Sequence, residues 1–259
     1  LSKLDVTPPG ATRLEVRIRH RVGTLAIDVA FALTQPWTIL FGPSGSGKST
    51  ILRVVAGLTR ADSARIVAGT GNSASPGSAE GGLLADSGEG RFMAAHTRGI
   101  PFAPQTASLF PHLTVLDNVA YGSRLRGEDL RRRMEATLSL FRVGHVAAKR
   151  PAELSGGEAQ RVNLARAAAA ANANRLLLLD EPFTGLDLAL RSELMQDLRL
   201  WAAGERLCVL SVTHDVAEAF QLDAEVIKIA DGRVVEQGPV EVVLAEERRR
   251  QLEQLRSKF

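Results

Sequence analysis

Residues 42–50 read Gly-Pro-Ser-Gly-Ser-Gly-Lys-Ser-Thr, and their types and spacing suit one task, the holding of a phosphate chain. Gly42, Gly47, Lys48 and Ser49 satisfy G-x-x-x-x-G-K-[ST]. Glycine lets the backbone pass close to phosphate oxygens. Pro43, Ser44, Gly45, Ser46 and Thr50 complete the loop, and the N–H groups of 45–50 can turn inward as an anion nest at a helix start. Lys48 is then placed to reach the β- and γ-phosphates, and the Ser49 hydroxyl to ligate Mg2+.

A second constellation lies 130 residues on. The apolar run Leu176-Leu177-Leu178-Leu179 ends in Asp180, Glu181 and Pro182. Ligands of parallel α/β sheets bind at the carboxyl ends of strands. Asp180 can hold Mg2+ opposite Ser49. Glu181 can orient and deprotonate an attacking water. Successive side chains leave a strand on opposite sides, so the two carboxylates can differ in role. A third group, Ser155-Gly156-Gly157-Glu158, carries the S-x-x-E capping box. Its paired glycines also leave helix N–H groups open to an anion, a second phosphate-binding end.

These groups need a scaffold. The phosphate loop follows the β-prone 37–41 and precedes a helix stopped by Gly57. Residues 14–18 alternate apolar and polar, 25–33 read similarly, and the two predict an antiparallel pair turning near Gly23. Half of residues 69–90 are Gly or Ser, which predicts a flexible surface insertion over about 69–95. A short strand is expected at 99–103. Helices are expected over 115–144, 158–171, 186–203 and 242–258. Buried strands are expected at 175–180 and 206–213, and a hairpin at 224–229 and 233–236. The arginines at 131–133 read as a solvated helix face. Strands alternating with helices predict an α/β fold with a mainly parallel sheet, and the phosphate loop makes that core resemble the P-loop NTPase core.

The phosphate loop, Gln105, Leu154-Ser155-Gly156-Gly157-Glu158, the run ending in Asp180-Glu181, and His214, in this order, resemble the ATP-binding subunit of ABC transporters. The match spans about 14–240, and LSGGE followed by Ala159-Gln160-Arg161 is its most specific piece. The resemblance implies one ATP-binding domain over 1–259, an N-terminal antiparallel β subdomain packed on the core, and a helical subdomain at about 106–158. It also implies a head-to-tail pair of chains, each ATP lying between the phosphate loop of one and Ser155, Gly156, Gly157 and Glu158 of the other. Gln105 would sense Mg2+ and the γ-phosphate, so that Ser49, Gln105 and Asp180 form the metal set. Glu181 would be the general base, His214 would hold the γ-phosphate, and Lys48 would support catalysis. Asp187 would lie at the contact between the two copies. Implied partners are a second copy, membrane permease subunits and, indirectly, a solute-binding protein. The implied place is the cytoplasmic face of a membrane.

Two features depart from the family. No Phe, Tyr or Trp stands in Arg19-His20-Arg21-Val22, where an aromatic usually stacks on adenine. The path from Lys48 to Gln105 is also long. Phe110-Pro111-His112-Leu113-Thr114-Val115 resembles importers, and Glu158 resembles molybdate-type subunits, which points to uptake of an oxyanion. The rival reading is a soluble ABC-type ATPase acting on DNA or ribosomes. Such proteins carry a coiled-coil insertion or tandem cassettes, and neither is seen here.

Composition is compatible with this. The chain has 259 residues, 45% hydrophobic and 24% charged, with a net charge of +3 too small to mark a nucleic-acid binder. Cys208 lies in an apolar run and is expected to pack as a buried hydrophobe. His20, His96, His112 and His145 lack metal-ligand spacing. Leu1 in place of Met suggests a trimmed start, and an extra C-terminal regulatory domain is expected to be absent or removed.

Overall fold

The computed structural model describes residues 14–69, 82–171 and 176–256, with the side chains of 255 and 256 left aside. Its strands are β1 (Leu14–Val22), β2 (Leu25–Leu33), β3 (Trp37–Phe41), β4 (Ser63–Ala68), β5 (Gly82–Asp86), β6 (Arg91–Phe92), β7 (Phe102–Ala103), β8 (Leu176–Asp180), β9 (Cys208–Thr213), β10 (Glu225–Ala230) and β11 (Arg233–Pro239). The helices are α1 (Lys48–Ala56), α2 (Ala95–Arg98), α3 (Val115–Ala120), α4 (Gly127–Leu140), α5 (Gly156–Ala169), α6 (Leu188–Gly204), α7 (Val216–Leu222), α8 (Val240–Val243) and α9 (Ala245–Arg256). Short 3-10 turns lie at Gly144–Val146 and Pro151–Glu153.

All eleven strands form one sheet, in the order β6-β5-β4-β1-β2-β11-β10-β3-β9-β8-β7. From β10 to β7 the strands run parallel. This half matches the expected core. The antiparallel half does not pack on the core as a separate sheet. It is hydrogen-bonded into it where β11 meets β2 at Arg233 and Asp28.

Apolar runs explain the parallel half. In β8, Leu177 and Leu179 enter one core while Leu176 and Leu178 enter the other. In β9, Val209 faces the first, and Cys208, Leu210 and Val212 the second. A strand buried on both faces needs such an uninterrupted run. The first core is closed by residues of α3 to α6, including Val119, Met134, Val162 and Leu194. The second is closed by α1 and by the inward faces of β1 and β2.

Several expectations change. The helix expected over 115–144 is two helices, parted at residues 121–126, and α4 ends at Leu140, capped by Phe141, as the chain turns through Arg142 at a φ of 52°. Residues 82–95 are not a flexible insertion. There β5 and β6 extend the antiparallel edge, with Leu84 and Ala85 buried in the second core. The Gly/Ser-rich residues 70–81 lie outside the described residues. The expected strand at 99–103 shrinks to β7, the hairpin's second strand lengthens to Pro239, and the expected tail helix becomes α8 and α9.

Leu210 is fully buried, whereas Leu200 is 59% exposed on α6. Leu210→Ala should lower unfolding free energy by about 2–5 kcal/mol in urea melts, and Leu200→Ala by less than about 0.5 kcal/mol.

Candidate functional site

Parallel strands bring their carboxyl ends to one edge, and the candidate site lies there. β3 delivers the phosphate loop, β8 delivers Asp180 and Glu181, and β9 delivers His214. Gly42 leaves β3 so close to β10 that a Cβ would lie 2.1 Å from the Ile229 carbonyl oxygen. Gly47 caps α1 with a φ of 97°, a left-handed conformation that disfavours side chains. Both glycines of the motif are therefore set by backbone geometry. Pro43, Ser44 and Gly45 are exposed at the loop crest, Ser46 is buried, and Thr50 is half-buried in α1.

Lys48 is 5% exposed and folds back over the loop. Its ammonium donates to the carbonyls of Gly42 (2.8 Å) and Pro43 (2.7 Å) and to Ser46 Oγ (3.4 Å). Burial lowers its pKa, against the opposing pull of Glu181 and Asp180. Ser49 Oγ donates to Asp180 Oδ1 at 2.9 Å. Burial raises the Asp180 pKa, against that hydrogen bond.

Glu181 sits at the centre of the polar cluster, with a left-handed backbone at a φ of 45°, and its N–H donates to the Val212 carbonyl at 3.1 Å. Strained backbone of this kind gathers at functional sites. One carboxylate oxygen, Oε2, accepts from Gln105 Nε2 at 2.9 Å and from Thr184 Oγ1 at 3.3 Å. The other, Oε1, lies 3.2 Å from His214 Nδ1. The structure thus gathers Lys48, Ser49, Gln105, Asp180, Glu181 and His214.

It does not bring the LSGGE group to them. Ser155 caps α5, accepting from the Glu158 N–H at 3.3 Å, while Glu158 Oε2 accepts from the Ser155 N–H (2.8 Å) and hydroxyl (2.7 Å). The expected capping box is formed, and the Ser155 hydroxyl and N–H hold the Glu158 carboxyl down at about 2. Gly156 is open to solvent, and Gly157 lies beside Leu186 and Gly185. None of these hydrogen bonds reaches the phosphate loop of the same chain. Asp187 caps α6, accepting from the Leu190 N–H at 2.9 Å.

Mg2+ suits the oxygen set. It binds through one or two protein oxygens, phosphates and waters rather than a protein cage. Ser49 Oγ and Asp180 Oδ1 supply such hard oxygens side by side, and Asp180 is buried, with Lys48 and Arg53 acting on it through their charge. No group of three or more His, Cys, Asp or Glu able to hold a metal occurs among the described residues.

The family profile described as ABC transporter matches residues 28–184. The chain belongs to this family. It is 37% identical to the molybdenum import ATP-binding protein ModC of Mesorhizobium japonicum, over 89% of this chain and 59% of that protein. It is 36% identical to the molybdate/tungstate import ATP-binding protein WtpC of Archaeoglobus fulgidus, over 87% of this chain and 86% of that one. The chain spans about three fifths of the length of the first of these relatives. Among solved structures, a dimeric ATP-binding cassette in a post-hydrolysis state with ADP and Pi is 26% identical, with a TM-score of 0.68 over 88% of this chain and 98% of that one. The cbiO1 protein of Clostridium perfringens, part of the ABC transporter complex cbiONQ, is 25% identical, with a TM-score of 0.72 over 95% and 96%.

The sequence reading missed Thr184 on Glu181 and the cluster of Arg191, Thr213, Asp215 and Glu218 behind His214. The D-x-x-E spacing of Asp215 and Glu218 was the available signal, since Asp215 caps α7. Burial raises the Glu218 carboxyl to about 7, although Arg191 and Thr213 pull the other way. Between about 4.5 and about 7 the folded chain holds a proton that the unfolded chain releases. The stability this confers is full below that window and is lost as pH rises through it. Urea melts across this range should show that fall, and Glu218→Gln should flatten it.

Proposed function

We propose that this chain is the ATP-hydrolysing subunit of a transporter importing a small solute, with molybdate or a related oxyanion as cargo. The convergence of Lys48, Ser49, Asp180, Glu181, Gln105 and His214 at one sheet edge carries the hydrolysis reading. The import and cargo readings rest on the relatives, described as molybdenum and molybdate/tungstate import proteins.

In this reading the N–H groups of 45–50 and the Lys48 ammonium bind the β- and γ-phosphates. Lys48 exchanges the carbonyls of Gly42 and Pro43 for phosphate oxygens. Ser49 and Asp180 would hold Mg2+, with Gln105 beside them. When bound, the metal neutralises phosphate charge. Glu181 orients a water in line with the γ-phosphorus and takes its proton. The new P–O bond forms as the bond to the β-phosphate oxygen breaks, and the electron pair leaves on ADP. His214 holds the γ-phosphate while charge redistributes.

The exposed start of α5 supplies the second phosphate-binding end, to the ATP of another copy. Support comes from the exposure of Gly156 in the first turn of α5, where helix N–H groups lack intrahelical partners, and from the dimeric, ADP- and Pi-bound relative. No helix among the described residues is long and apolar enough to cross a membrane. In this reading the partners are permease subunits and a solute-binding protein, with the chain on the cytoplasmic face, and support comes from the relatives described as import ATP-binding proteins.

Glu181→Gln should leave ATP affinity within about threefold and lower steady-state phosphate release by about 10²-fold or more. Unimpaired release in that variant contradicts the general-base role. Lys48→Ala should weaken ATP binding itself in calorimetry, and an unchanged affinity contradicts the phosphate cradle.

A further inference from the structure

His214 is an exposed ring on a tightly held backbone. Its side chain is 58% exposed and meets Glu181 at 3.2 Å. The residues on either side of it are fixed. The Thr213 hydroxyl donates to Glu218 Oε2 at 3.1 Å and accepts from the Asp215 N–H at 3.1 Å. Asp215 Oδ1 accepts from the N–H groups of Ala217 (2.8 Å) and Glu218 (3.3 Å).

One cation joins these acids. Arg191 Nη2 donates to Asp215 Oδ2 and lies 3.6 Å from Glu218 Oε2. Arg191 stands one turn into α6, where its N–H donates to the Asp187 carbonyl at 2.9 Å. Asp187 ends the 184–187 segment, and Thr184 of that segment bonds Glu181. A continuous polar path thus runs from Glu181 through 184–187 and Arg191 to the two neighbours of His214, and returns to Glu181 through the ring.

The cluster is a poor source of stability. Glu218 is 5% exposed, and its Oε1 and Arg191 Nε have no hydrogen-bond partner among the described residues. Desolvation of buried ions offsets most of their attraction. What the arrangement supplies is geometry, because one guanidinium nitrogen, Nη2, is hydrogen-bonded to the Asp215 carboxylate and lies 3.6 Å from the Glu218 carboxyl group, holding the two acids about a single point.

We infer that Arg191 is a positioning residue for hydrolysis: by clamping Asp215 and Glu218 it sets where the His214 ring meets Glu181, and it ties that ring to the 184–187 segment. This rests on the hydrolysis reading above. It predicts that Arg191 acts through His214 and makes no contact with nucleotide.

Two readouts on the full chain test it. The first needs no turnover. The His214 imidazole NMR signals, assigned by their loss in His214→Asn, should shift in Arg191→Met and return part-way in Arg191→Lys. Unmoved His214 signals in a folded Arg191→Met protein overturn the inference. The second is a double-mutant cycle on ATP hydrolysis. Arg191→Met should lower kcat by about tenfold with KM for ATP changed by less than about twofold, and should cost nothing further in a His214→Ala background. Losses that simply add show that Arg191 acts elsewhere and overturn it. If Arg191→Met does not fold by circular dichroism, Asp215→Asn takes its place in both readouts with the same expected outcomes. If the unmodified chain hydrolyses no ATP, the hydrolysis reading fails, while the ring signals still decide whether Arg191 positions His214.

Discussion

The Ser49–Asp180 hydrogen bond, 2.9 Å across 131 residues of sequence, sets the register on which the site depends. It ties the first turn of α1 to the last residue of β8. The phosphate loop and the carboxylates are thereby joined directly. The bond itself is worth about 1 kcal/mol, so it does not hold the fold together. The fully buried runs of β3, β8 and β9 do that, and they leave Asp180 nowhere to point except the loop. Once Asp180 is fixed, Glu181 follows it just past the end of β8 with a strained left-handed backbone, and Gln105, Thr184 and His214 gather around it.

The same burial sets the electrostatics. A cation and an acid are both withdrawn from water within one polar cleft, and burial acts on each to disfavour its charge. Lys48 is satisfied by three oxygens of its own loop, and Ser49 by Asp180. The groups are thus held in position by bonds within the chain. Preorganisation of this kind is what lets positioned dipoles and charges act on a transferring phosphoryl group.

Most of this scaffold was legible because its signals are local. A glycine loop between a β-prone run and a helix, or five apolar residues ending in two acids, can be read without knowing what packs on them. Ser155 and Glu158 announced their capping box in four residues. The failures are non-local. Leu84 and Ala85 become strand only because β4 offers an edge, which the Gly/Ser content around them conceals. The break in the helix expected over 115–144 follows from packing α3 and α4 separately into the first core. Asn118 then fixes the preceding loop through the Phe110, Leu113 and Thr114 carbonyls. The Arg191 clamp joins residues 24 apart on two helices, a spacing that no periodicity marks.

The open start of α5 and the phosphate loop both have the chemistry to hold phosphate, and among the described residues no hydrogen bond joins them. In the proposed function they meet across a pair of chains. Mixing two inactive variants tests this most directly: Lys48→Ala, which lacks the cradle, and Ser155→Arg, which blocks the helix start. Each alone should release little phosphate from ATP. Mixed pairs should regain one intact site, so hydrolysis should appear on mixing. A mixture as inactive as its components, or full hydrolysis by Ser155→Arg alone, contradicts a nucleotide shared between two copies.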